Sequence, residues 1–201
     1  MNGVWKTCSK QQICANPGLE HRIDWTDPKS LDNWTQETDM NCYSGWEIGM
    51  FGSCGFIGYS LMGFVMMWLN SLKVGRKPQI IIGTLGTFIT QVLIIAFPNQ
   101  YSRYFFRICL GIFRLGWVNT YMLCCELFPK KHVSKITAIF FFWDFSLILL
   151  ISTFYFYYIS VHYLYLLIGA LILIDIPLCM LCFELPESPK WLIEEGLYNE
   201  A

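Results

Sequence analysis

Four charged side chains stand inside long apolar runs of this 201-residue chain: Arg107, Arg114, Asp144 and Asp175. At the centre of a hydrocarbon layer each such charge costs roughly 2.5 to 3.5 kcal/mol unless it is paired or wetted, so each needs a partner or a task. Arg107 and Arg114 are seven positions apart, almost two helical turns, and are expected to project from one helix face together with Gly111. Two kinds of chemistry fit these residues. They can line a path for an organic ion or relay protons, or the arginines can pair with the aspartates and hold helices together. In a chain this short, pairing is the favoured reading. Glu47 and Glu126 fall at the ends of apolar runs, where charge meets water at little cost.

Other groupings carry less. Cys179-Met180-Leu181-Cys182 has metal-type spacing, but it lies in an apolar run with no second Cys/His pair, so no metal site is expected. Cys109, Cys124 and Cys125 read as small core residues. His21, His132 and His162 are scattered, and no nucleophile stands at motif spacing from a base. An enzyme is not expected, nor is a cofactor.

Composition sets the class of chain that must position these residues. With 55% apolar, 17% aromatic and 14% charged residues, it is too oily for a soluble domain, where about a quarter of residues are charged. The net charge of −1 and the lack of a basic tract exclude nucleic-acid binding. Runs of about 18 apolar residues cross a ~30 Å hydrocarbon core as helices. Five are predicted: Trp46 to Leu69, Gln79 to Phe97, Tyr104 to Phe128, Ile136 to Ile159 and Tyr163 to Phe183. Pro78 opens the second, Pro98-Asn99 closes it, Pro129 closes the third, and Pro186 with Pro189 ends the fifth. Short connections make successive helices antiparallel neighbours. The expected fold is an all-α integral membrane protein, with a polar segment at 1–45, a five-helix domain at 46–183 and a polar end at 184–201.

Basic residues orient the chain, because short loops rich in lysine and arginine resist translocation. Lys73, Arg76 and Lys77 fall in the first loop and Lys130, Lys131 and Lys135 in the third, while the second and fourth offer only Arg103. This predicts the amino terminus on the outer side and the carboxyl end on the cytoplasmic or matrix side. Residues 1–45 carry four basic and six acidic residues and no apolar core of signal type. In an oxidising outer compartment Cys8, Cys14 and Cys42 could form one disulfide and leave one thiol over, and Asn33-Trp34-Thr35 could accept a glycan. Which cysteines pair is left open by the sequence.

The segments between the spans carry a family likeness. Asn41-Cys42-Tyr43 precedes a glycine-rich helix with Gly45, Gly49, Gly52, Gly55 and Gly58. Gly75-Arg76-Lys77-Pro78 forms the first loop. Arg107, Gly111 and Gly116 mark the third span, and Glu126-Leu127-Phe128-Pro129-Lys130-Lys131-His132 follows it. Glu184-Leu185-Pro186-Glu187-Ser188-Pro189-Lys190-Trp191-Leu192, with Gly196 and Tyr198, trails the fifth. In order and spacing this pattern resembles family helices 2 to 6 of the major facilitator superfamily, in the branch of organic cation and anion transporters and sugar porters. The resemblance implies an incomplete amino-terminal half of that fold. It departs at Leu72, where the family's loop has an aspartate that helps latch two halves together, and in lacking the first family helix and everything after the sixth.

Transport in this family rocks two six-helix halves around a site near the bilayer midplane. Five helices offer one wall of such a site. The favoured expectation is therefore a degenerate, non-transporting accessory subunit of a larger membrane complex, with the small-residue face at Gly49, Gly52, Gly55 and Gly63 packed on other subunits. The alternative is a carrier of organic ions or sugar-like solutes, working as a dimer or with a separate second half and using Arg107, Arg114, Asp144 and Asp175. The resemblance points to the plasma membrane, and the accessory role equally to a mitochondrial inner membrane.

Overall fold

The structure, a computed structural model, describes residues 5–16, 18, 20–27, 30–38, 40–97 and 99–197. Pro98, Tyr198 and the rest of 198–201 lie outside them. The described residues form helices: α1 (Lys10–Ala15), α2 (Trp34–Glu37), a 3-10 turn (Met40–Cys42), α3 (Gly45–Ser71), α4 (Arg76–Ala96), α5 (Gln100–Phe113), α6 (Leu115–Leu127), α7 (Lys130–Phe141), α8 (Ile148–Tyr158), α9 (Tyr163–Ala170), α10 (Ile176–Glu184) and α11 (Pro189–Glu194). Helices α5 and α6 run on through a tight turn at Arg114, whose N–H bonds to the Gly111 carbonyl at 3.3 Å. Two π-helical stretches, Phe142–Leu147 and Leu171–Asp175, join α7 to α8 and α9 to α10. Five helical stretches are long and apolar enough to cross a membrane.

Each span begins at or before its apolar run, because the first turn of a helix tolerates polar residues. Ser44 caps α3 in a reciprocal box with Glu47, the Ser44 N–H donating to Glu47 Oε2 at 2.8 Å. Asn99 caps α5 by accepting the Tyr101 N–H at 3.1 Å. Helix α4 starts at Arg76, so Pro78 sits in its first turn, where a missing N–H breaks no helical bond. Arg103, expected in a loop, is a buried residue of α5, 3% exposed, with its Nη1 donating to Tyr163 Oη at 3.4 Å.

In lipid, helices associate by close packing and not by water expulsion, so small residues decide where they meet. A Cβ on Gly58 of α3 would lie 2.0 Å from the Ile108 carbonyl oxygen of α5, and one on Gly111 of α5 would lie 2.4 Å from the Gly55 carbonyl oxygen. A Cβ on Gly83 of α4 would lie 2.2 Å from the Gly116 backbone nitrogen of α6, and one on Gly86 would lie 2.2 Å from the Phe113 ring. These crossings hold α3 on α5 and α4 on α5 and α6, and α10 packs on α4. Met62, Leu69 and Leu115 are buried between α3 and α6, and Ile80, Leu123 and Cys182 between α4, α6 and α10. Gly49, Gly52 and Gly63 have open space where a side chain would stand, so they take no part in packing inside this bundle.

The amino-terminal segment is tied to one end of the bundle. A Cys14–Cys42 disulfide joins α1 to the 3-10 turn and leaves Cys8 as an exposed free thiol. Asp32 bonds to the loop before α9 through its N–H to the Val161 carbonyl at 3.0 Å and through its carbonyl from the Tyr163 N–H at 3.2 Å. Its carboxylate meets His162 Nδ1 at 2.6 Å. Trp34 stacks on Phe51 of α3 with ring centroids 4.1 Å apart. Asn33 accepts the Thr35 N–H at 3.0 Å, so the sequon asparagine serves as the cap of α2. Helix α11 lies at the opposite end.

The glycine crossings give a test with an internal control. Gly58→Val forces backbone apart and is expected to destabilise the bundle by about 2 kcal/mol or more, whereas Gly52→Ala, which meets nothing, should be neutral or slightly stabilising. Thermal unfolding of the detergent-solubilised full chain measures both.

Candidate functional site

Helix α4 opens at Gly75, which offers no side chain to satisfy its first N–H groups. The Glu187 carboxylate does so from the segment before α11, accepting the Lys77 N–H at 3.1 Å (Oε1) and 3.3 Å (Oε2). A Cβ on Gly75 would stand 2.3 Å from Glu187 Oε2, so glycine is needed for the carboxylate to reach the helix end. Glu187 Oε1 also accepts the Ser188 N–H at 2.9 Å. Ser188, fully buried, donates its hydroxyl to Glu126 at the end of α6 and accepts the Trp191 N–H at 3.3 Å, capping α11. Pro186 and Pro189 bracket this cap, and Pro129 ends α6 and starts α7.

Glu126 also meets Arg76 Nη2 at 3.7 Å, and Arg76 Nη1 donates to Asn119 Oδ1 at 3.3 Å. Asn119 and Gln79 are both 0% exposed. Asn119 Nδ2 donates to Gln79 Oε1 at 3.1 Å and to the Leu115 carbonyl at 2.9 Å. Gln79 Nε2 in turn donates to Asn70 Oδ1 at 2.9 Å and to the Val74 carbonyl at 2.8 Å. A polar chain thus runs from the end of α3 through α4 and α6 to α11. Satisfied at every link, such a network fixes one geometry. Lys73, whose φ of 57° is unusual for a side-chain-bearing residue, pairs with Glu195 at 2.8 Å across the same end. Leu72 caps α3 and is 56% exposed.

The four intramembrane charges do not form one cluster. Arg114, at the turn between α5 and α6, reaches Asp144 Oδ1 at 3.5 Å, and its guanidinium lies 5.9 Å from the centre of the Trp117 ring. Asp144 sits in the first π-helical stretch and Asp175 closes the second. A π-helical turn leaves backbone groups irregularly paired and is frequent at functional sites. Asp175 meets no counter-charge or hydrogen-bond partner among the described residues, and Thr84 of α4 is engaged instead by Cys182, whose Sγ lies 3.4 Å from its Oγ1.

Arg107 faces α3. Its guanidinium lies 5.4 Å from the centre of the Phe51 ring, the ring on which Trp34 stacks, and its Nε packs 3.7 Å from where a Gly55 side chain would begin. That Nε is buried with no hydrogen-bond partner, and no carboxylate pairs with Arg107 among the described residues. Eight residues of helix place it about 12 Å inside the span from Asn99. Arg107 and Arg114 therefore serve different neighbours: the first lies against α3, the second is turned to Asp144 by the break at the α5–α6 junction. Sequence spacing on an ideal helix could not reveal that break. Phe51, Gln79 and Asn119 were also beyond it, since an aromatic or an amide in an apolar run has no spacing signature.

Comparison with known proteins adds lineage to this geometry. Residues 35–196 match the model of the Major Facilitator Superfamily. The chain is 27% identical over 170 residues to solute carrier family 22 member 1 of Bos taurus, which covers 82% of this chain and 29% of that protein. Against solute carrier family 22 member 1 of Oryctolagus cuniculus it is 26% identical over 168 residues, again 82% of this chain and 29% of the relative. The chain thus spans under a third of the length of these curated relatives. No solved structure matches it.

Because the α4 cap comes from a distant residue, Glu187→Ala is expected to cost about 1 to 2 kcal/mol of stability, and Gly75→Ala should do similar damage by pushing the carboxylate away. Thermal unfolding in detergent measures both losses, and the double variant should cost clearly less than the sum of the two, since both remove one contact.

Proposed function

The chain belongs to the major facilitator superfamily, and from that premise we propose that it forms one wall of a solute path in a membrane transporter whose cargo is an organic ion with an anionic group. Arg107 carries this reading. A guanidinium held in the span with a buried, unpartnered Nε and no matching carboxylate among the described residues is costly in the empty protein and becomes favourable when a solute carboxylate or sulfonate arrives. The aromatic ring of Phe51 beside it gives an aromatic solute a surface to stack on. Asp175 is the second unmatched charge and is proposed to take a proton or to face a cationic group. Arg114 and Asp144 are proposed to hold helices together, as their pairing supports.

The polar chain at the α11 end suits a body that rocks without deforming, since alternating access turns one half against the other. The basic residues of the first and third connections favour that end on the cytoplasmic side, with the amino-terminal segment and its disulfide outside, at the cell surface. A sugar-like solute is the less suited cargo, because it gives Arg107 no charge to meet.

A second reading is favoured by two observations. Leu72 stands exposed where an acidic latch belongs, and the face at Gly49, Gly52 and Gly63 is open, while Gly55 is taken up by Arg107. Both suit a structural subunit whose smooth α3 face docks on other membrane proteins, at the plasma membrane or a mitochondrial inner membrane.

Counterflow of labelled organic anions into liposomes holding the full chain separates the two. The transporter reading predicts saturable flux that Arg107→Ala reduces at least about tenfold and Arg107→Lys partly restores. Absence of flux over a broad panel of ions, together with stoichiometric co-purification of other membrane proteins, supports the structural subunit.

A further inference from the structure

At the α11 end of the bundle Lys73, Arg76 and Lys190 are spoken for by Glu195, Glu126 and Glu194. Lys130, Lys131 and Lys135, in the first turns of α7, are exposed and meet no carboxylate among the described residues. Lys131 and Lys135 are four apart and share a helix face, so their like charges repel. Glu126, the nearest acidic residue in sequence, is already engaged by Arg76 and Ser188.

The helix that carries these lysines is the bundle's most peripheral. Among the described residues of Lys130–Tyr158 none of the apolar stretch is buried, compared with 28% for Arg76–Ala96. It packs on α6 through a seam of rings, Trp117 and Tyr121 against Phe140 and Phe141, through the Tyr121–Thr137 hydroxyl contact at 3.1 Å, and through the Arg114–Asp144 pair at the α5–α6 junction. Ile139, Phe142 and Trp143 on its flank are exposed and face the hydrocarbon of a bilayer. The lysines therefore stand where a lipid-facing helix leaves the hydrocarbon, at the depth of phospholipid headgroups.

We propose that Lys130, Lys131 and Lys135 form a binding site for the anionic headgroup of a membrane phospholipid, its phosphates set between the paired Lys131 and Lys135 and its acyl chains lying along α7. Cations close to an anionic membrane surface are attracted to it, so three lysines favour charged over zwitterionic lipid. The site lies away from Arg107 and does not depend on transport.

Binding of short-chain phosphatidylinositol 4,5-bisphosphate and of short-chain phosphatidylcholine to the detergent-solubilised full chain tests it. The expected result is saturable, salt-sensitive binding of the anionic lipid only, weakened about tenfold or more in K130Q/K131Q/K135Q and unchanged in K6Q/K10Q, with both variants unfolding at the wild-type temperature. Equal binding of the two lipids overturns the proposal, as does undiminished binding by the triple variant or equally tight binding of inorganic phosphate. Capture of an acidic peptide with no preference among lipids overturns it as well, in favour of a protein partner.

Discussion

Close approach of helix backbones is the constraint on which the rest of this structure depends. At Gly58 and Gly111 between α3 and α5, and at Gly83 and Gly116 between α4 and α6, a single added carbon would overlap the neighbouring backbone. Without water to expel, the spans have only this contact and their polar links to hold them in register. The register then decides the rest. It lays Arg107 against Phe51 and brings the start of α4 under Glu187.

The two ends of the bundle are stabilised by different means. At one end the amino-terminal segment is stapled by Cys14–Cys42, paired at Asp32–His162 and stacked through Trp34 on Phe51. At the other, two carboxylates do most of the joining, Glu187 as a helix cap and Glu126 as the link between Arg76 and Ser188. Between them the hydrocarbon depth holds Arg114 with Asp144, and Arg107 and Asp175 with no counter-charge among the described residues. A membrane protein that keeps such charges does so against their solvation cost, which is why they point to cargo or partner.

Much of the architecture was legible in the residues. Spans of apolar length, proline and asparagine punctuation, and the loops Gly75-Arg76-Lys77 and Glu187-Ser188-Pro189 placed five helices, and the loops marked the family. What periodicity could not supply was the geometry inside the spans. The α5–α6 turn at Arg114 and the π-helical stretches that hold Asp144 and Asp175 change the angle between successive residues, so Arg114 reaches Asp144 while Arg107 lies against Phe51. The glycines that pack helices within the bundle are Gly58, Gly83, Gly86, Gly111 and Gly116, while Gly49, Gly52 and Gly63 stay open; identical residues in one row cannot be told apart without knowing which face a neighbour covers. The cysteine pairing likewise needed the fold, since it joins positions 28 apart across α2.

The central claim is that Arg107 meets no carboxylate among the described residues and waits for an anion. Replacing it with methionine removes the charge and keeps most of the volume, and burying an apolar group where an unmatched ion stood is neutral or stabilising. The most direct measurement is the unfolding temperature of wild type and Arg107→Met with and without a panel of organic anions. The account predicts a variant at least as stable as wild type when empty and deaf to anions that raise the wild-type midpoint. A variant that unfolds earlier when empty would show that the arginine is already satisfied within the protein, and the claim would fail.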